Sequence, residues 1–163
     1  MSLKLYSTEF MQRRPCPLKD GALDGTIVEG LFVIDTDGTG YDLVSGVADT
    51  FNVYQIWTGR KTASNNQRTD VAAIMQSVAD VTEESGYAIF AGQVTGLFGQ
   101  YIVQIGAECY DATAHGSQPA ITLRNQALTV EDGQIVGADT ADPVIAYVDA
   151  LPDSDGFLTI RRV

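Results

Sequence analysis

His115 is the only histidine of the chain, so any histidine-based proton transfer would have to run through it. It lies in the loop-like stretch ATAHGSQPA at 112–120, with Ser117 two residues on. A Ser-His-Asp hydrolase needs its serine on a strained strand-to-helix elbow of the Gly-x-Ser-x-Gly kind, and Ser117 has no such frame. A metal site is the next chemistry to test. Asp35, Asp37 and Asp42 alternate with glycines in DTDGTGYD, as hard cations prefer, yet an EF-hand counted from Asp35 has Thr39 at its fifth position and Gly46 at its twelfth. A ligand and the bidentate glutamate are therefore missing, and the segment reads as a hairpin turn, for which Asp and Gly are the ordinary residues. Cys16 and Cys109 are too far apart in sequence for a zinc motif. They leave a bridge open, with free thiols as the expectation. Gly92, Gly96 and Gly99 form neither a Gly-x-Gly-x-x-Gly fingerprint nor a P-loop and are expected to mark turns or bulges between strands. Paired carboxylates of the glycosidase kind stay open among 21 acidic residues, most of which sit beside Gly or Pro as turn residues do. The expectation is a protein without catalytic residues, metal or cofactor.

The elements that would position these residues are β. The 163 residues suffice for one core, and 45% hydrophobic with 19% charged residues is a globular composition. Sixteen glycines punctuate short runs rich in Val, Ile, Phe and Tyr. The end of the chain shows the pattern most clearly. Residues 144–151 are apolar and β-prone, 152–156 supply PDSDG turn chemistry, and 157–163 alternate with Leu158 and Ile160 on one face and Phe157, Thr159 and Arg161 on the other. Upstream, TIVEGLFVID fills both faces of one strand, FNVYQIWTG follows a TDGTG turn, and Tyr101, Val103 and Ile105 share one face of a later strand, after another at Tyr87, Ile89 and Phe90. GRKTASNNQRTD at 59–70 reads as an exposed loop. Val71, Ile74, Met75 and Val78 recur at helical spacing, which allows one short helix near 70–79. The expected architecture is all-β, a small β-sandwich or barrel, with a jelly roll among the options. It comprises one domain over 23–163 preceded by an extended N-terminal arm over 1–22, in which Pro15 and Pro17 impose extended geometry.

Net charge is −11, from 21 acidic and 10 basic residues, which sets the overall field against a nucleic-acid partner. The charge is uneven. Lys4, Arg13, Arg14 and Lys19 outnumber Glu9 and Asp20 in the arm, the stretch 21–160 holds most of the acid, and Arg161 and Arg162 close the chain. A mildly basic arm on an acidic body could dock an acidic protein partner, but a solvated body with an ordinary polar terminus is the favoured reading. The start, MSLKLYSTEFMQRRPC, lacks the apolar run of a signal peptide, and no segment approaches the 18 apolar residues of a spanning helix. Folding in a cytoplasm and no membrane partner are the expectations.

From Tyr110 onward the pieces follow an order: Tyr110-Asp111, Leu128-Thr129-Val130, Asp132-Gly133, Gln134 to Val136, Ala141 to Val148, and Asp155 to Arg162. This order resembles the C-terminal pattern of tailed-phage head decoration, or cement, proteins, and GLFVIDTDG with GVADTFNVYQIW is similar to their front strands. The sequence departs from that pattern at Ala146, where a Gly often follows the Val-Ile pair, and in its longer polar loop at 59–70. The resemblance implies a structural virion protein that binds the major capsid protein on the outer face of an icosahedral head, as a homotrimer, after synthesis in the host cytoplasm. Tyr6, Phe10, Arg13 and Arg14 of the arm and Arg161 and Arg162 at the end are the candidate capsid or subunit contacts, since aromatic and Arg residues are favoured anchors. The alternative is a tail, fibre or baseplate β module, or a carbohydrate-binding domain in which Trp57 and the tyrosines stack on sugar.

Overall fold

The computed structural model describes residues 3–17, 30–35, 37–44, 52–57 and 93–163. The expected helix near 70–79, the polar loop at 59–70 and the strand at 87–90 lie outside them. Among the described residues there are nine strands: β1 (Leu3–Pro17), β2 (Phe32–Ile34), β3 (Asp42–Leu43), β4 (Val53–Trp57), β5 (Gln93–Ile105), β6 (Ala127–Glu131), β7 (Gln134–Gly137), β8 (Ala146–Ala150) and β9 (Leu158–Arg162). A single 3₁₀ turn, Ala107–Cys109, is the only helical element among the described residues. The fold is all-β, an antiparallel sheet curled into a half-barrel.

The sheet runs β3-β2-β4-β5-β9-β8-β6-β7, with β1 added to β5 off this path. Here β5 is the organising strand. One of its edges pairs with β1 over nearly its whole length. The other pairs with β4 at residues 95–97 and then with β9 at 101–105. The changeover contains Gly99, at φ 88°, a conformation that favours glycine. Of the three glycines expected as turns or bulges between strands, Gly92 lies outside the described residues, and Gly96 and Gly99 both lie inside this one 13-residue strand. Gly99 lets it kink. Gly96 lets the Tyr41 ring lie against its backbone: an added Cβ would stand 2.5 Å from Tyr41 Oη and 2.7 Å from Tyr54 Cβ.

Alternation then builds the core. Tyr101, Val103 and Ile105 of β5, Leu158 and Ile160 of β9, Ala146 and Val148 of β8 and Leu128 and Val130 of β6 all point inward and are buried. The predicted alternation of the closing hairpin, with its turn between Ala150 and Leu158, is therefore present. Phe32 and Val33 are both buried, so β2 is covered on both faces. Asp132 and Gly133, both at positive φ, form the two-residue turn between β6 and β7. The tip of that turn ties the β6–β7 end of the sheet to the β2–β3 end, because Gly133 accepts a hydrogen bond from Phe32 N and donates one to Val44 O, each at 2.8 Å.

Gly96→Ala should lower the unfolding free energy by about 1–3 kcal/mol, the cost of overpacking a filled site. Denaturant unfolding of the two proteins measures it. An unchanged midpoint would show that Tyr41 can move aside.

Candidate functional site

The six residues expected to make contacts are separated by the fold into different environments. Tyr6 and Arg161 come together on one sheet face. In β1 the register slips between Leu5 and Ser7 and again between Ser7 and Phe10, so Tyr6 is the extra residue of a bulge. Bulges re-aim side chains, and Tyr6 remains 55% exposed, its hydroxyl donating to Gln104 Oε1 at 3.0 Å. Ile102 of β5 pairs with Ser7 on one side and with Arg161 of β9 on the other. Arg161 is exposed, sits 5.9 Å from the centre of the Tyr147 ring, and reaches Asn125 Oδ1 at 3.4 Å. Half-buried Ile102 and Gln104, exposed Gln100 and half-buried Tyr147 and Thr159 belong to the same outward set of β5, β8 and β9. The result is a four-strand face on which two tyrosines and an arginine, types enriched at the centres of protein contacts, surround half-buried Ile102.

Arg162 has turned the opposite way. Only 4% exposed, it donates from Nη1 to Ile145 O at 2.6 Å and from Nη2 to Val53 O at 3.2 Å. Burial draws its pKa down and draws that of neighbouring Tyr101 up, while the attraction between the two groups opposes both shifts. Tyr101 donates to Gln55 Oε1, and Gln55 Nε2 donates to Gly30 O, each at 2.9 Å. This chain of polar groups is internal, and Arg162 is unavailable to a surface partner.

Arg14 has a third environment. Its Nη2 lies 2.6 Å from Asp35 Oδ2, whose side chain is 1% exposed, and its Nη1 donates to Tyr54 Oη at 2.9 Å. Tyr54 packs against Tyr41 and Phe98, and Tyr41 donates to Arg14 O at 2.6 Å. The arm is thereby locked to its own body through this residue. For Phe10 and Arg13 only the backbone is described: they pair with Gln100 and Leu97.

The residues weighed for chemistry turn out to shape loops. Asp35 Oδ1 accepts from Gly38 N, and Asp37 Oδ1 from the amide and hydroxyl of Thr39. Asp153 Oδ1 accepts from the amides of Asp155 and Phe157. Among the described residues no three His, Cys, Asp or Glu side chains converge as metal ligands. Cys109 is buried in the core. His115 Nε2 lies 2.7 Å from Asp111 Oδ2 and 3.0 Å from Thr113 Oγ1. One ring nitrogen thus faces both partners, whereas a catalytic relay needs the acid on one nitrogen and the nucleophile on the other. Sequence reasoning missed Tyr147, although its place opposite Arg161 follows once the hairpin register is known. No family model, no curated protein and no solved structure matches the chain.

The Asp111 carboxyl is held down to about 2, first by the Thr113 amide and hydroxyl and then by His115. A depressed acid stabilises the fold above its unfolded pKa, and that contribution disappears as pH falls through the folded value. Carboxyl NMR should place the Asp111 midpoint near 2, rising toward the ordinary range in Thr113→Val. An ordinary value in the unaltered protein would dismiss this turn as the cause.

Proposed function

We propose that the protein is a structural subunit of a tailed-phage virion that binds the major capsid protein on the outer surface of the head, as a homotrimer, and stabilises the shell. The observation that supports this reading is the outward face of β1, β5, β9 and β8, where Tyr6 from the beginning of the chain and Arg161 from its end stand on either side of Ile102. A clamp needs contact area and anchors rather than reactive groups, and the ordered turn-and-strand series shared with decoration proteins points in the same direction. The charge fits as well. With a net −11, the chain presents Arg161 on this face as a local site for a carboxylate in an otherwise repelling field. Many copies on a lattice also gain from avidity, so single contacts can be modest.

Deleting the arm would remove strand β1 along with any contact, so point changes are the better probe. Tyr6→Ala and Arg161→Ala should each weaken binding to expanded heads about tenfold, in line with the loss of an interface anchor. Both should keep the far-ultraviolet dichroism of the unaltered protein. Cosedimentation with heads measures the binding, and wild-type binding by both variants would remove this face from the proposal.

A further inference from the structure

An aspartate followed by glycine holds an electrophile and a nucleophile side by side. The glycine nitrogen can close on the aspartate Cγ, and a glycine has no β-carbon to shield that approach. Five such pairs occur in the sequence, of which Asp37-Gly38, Asp132-Gly133 and Asp155-Gly156 fall among the described residues. In each of these three the glycine N–H is already donated. Gly133 gives it to Val44 O at 2.8 Å, Gly156 to Asp153 O at 3.0 Å and Gly38 to Asp35 Oδ1 at 2.7 Å.

The three restraints differ in what would release them. The Gly133 bond ties the β6–β7 turn to Val44 beyond β3, and an added Cβ there would stand 2.7 Å from Leu43 Cδ2, so packing restrains it as well. Gly156 bonds backbone to backbone within one tight turn, and Asp153 Oδ1 also holds the next amide, that of Phe157. Gly38 has neither support. Among the described residues nothing lies within 4 Å of where its Cβ would be, Asp37 and Gly38 are exposed, and the acceptor of the Gly38 N–H is a side chain. That side chain, Asp35, is held from elsewhere: its Oδ2 lies 2.6 Å from Nη2 of Arg14 in β1.

We infer that Asp37-Gly38 is a site of spontaneous aspartate isomerisation, held closed by Asp35 and, through Asp35, by Arg14. In the reaction Gly38 N bonds to Asp37 Cγ, and one carboxyl oxygen leaves as water, carrying the amide proton and the proton of the carboxylic acid. Water then opens the cyclic imide at one of its two carbonyls, which either restores aspartate or leaves the chain running through the side chain as isoaspartate. The first step needs a freed Gly38 nitrogen and a turned Asp37 carboxyl. The structure opposes both, since Asp37 Oδ1 also accepts from the amide and hydroxyl of Thr39. The product would place one more backbone carbon between β2 and β3, which pair through only two residues each. Arg14 thereby links the chemical lifetime of that loop to the seating of β1.

Prolonged incubation of the full chain at neutral pH, followed by peptide mapping with electron-transfer fragmentation, measures isoaspartate at 37, 132 and 155 separately. Asp35→Ala should raise the rate at 37 about tenfold, the effect of losing a hydrogen bond to a charged acceptor, with 132 and 155 unchanged. Arg14→Gln leaves the acceptor in place but unheld, and should raise the same site by a smaller factor; no rise there removes Arg14 from the inference. The selectivity separates a lost guard from a lost fold, because an unfolded variant reacts at all three sites, and circular dichroism checks each variant. Equal rates at 37 in a folded Asp35→Ala and in the unaltered protein overturn the inference. Where Asp35→Ala does not fold, hydrogen exchange of the unaltered protein decides: the Gly38 amide should exchange about tenfold or more slowly than in a free peptide. Exchange at the free-peptide rate overturns the guard.

Discussion

A strand has two hydrogen-bonding edges, and β5 has three strand partners. With β1 occupying one edge, β4 and β9 must share the other, one after the other. Much else follows from that constraint. The strand has to be long, 13 residues, and it has to change direction between its two partners, which Gly99 permits. The ends of β4 and β9 then meet beside residues 99–101. Arg162, the last residue of β9, spans this junction by donating to Val53 O at the start of β4 and to Ile145 O before β8. A buried carbonyl without a donor costs about 1–3 kcal/mol, so a two-pronged donor at this place offsets two such losses. A guanidinium suits the task because its fork reaches two acceptors at once. Its own desolvation is the opposing term, visible in the lowered pKa and in Nε, which has no hydrogen-bond partner.

The sequence announced the parts that depend on period and turn chemistry. Leu158 and Ile160 alternate in a strand where only one face is covered, so the inward pair could be read directly. Asp132-Gly133 and Asp153 to Gly156 carry the residues that tight turns demand, and both form turns. The partnering of β5 was not legible. Nothing local distinguishes a glycine between two strands from one inside a kinked strand, because the distinction is made by which distant segments pair beside it. The opposite fates of Arg161 and Arg162 follow from the same rule. Adjacent strand residues face opposite sides, and the register of β9 with β5, rather than any property of the Arg-Arg pair, decides which one is buried. Tyr6 and Ile102 share a face for a reason equally remote in sequence, the bulges in β1.

The polar residues that looked available for chemistry are consumed by the fold. Each tested aspartate accepts local amides, which is what a carboxylate does when a loop must hold a tight path without regular pairing. Asp35 does more, since it also receives Arg14 from β1 and so joins the arm to the turn after β2. That pair is close to the interior on the Asp35 side, with Tyr41 and Tyr54 around it. Removing either partner would leave the other charge with fewer neighbours than its degree of burial requires.

These internal ties explain how a chain of short strands can present a stiff surface. Tyr6 of β1 donates to Gln104 of β5, and Gln104 donates to Asp153 of the β8–β9 turn. Three segments far apart in sequence are thereby held in one relative orientation, and the same aspartate shapes the turn that bears Leu151. Association costs side-chain and loop ordering unless that ordering is already present in the free protein. Ordering is present here in the Asp153 turn and along the Tyr6–Gln104–Asp153 line. A contact made by such a surface should therefore depend on the fit of its anchors and charges more than on its area.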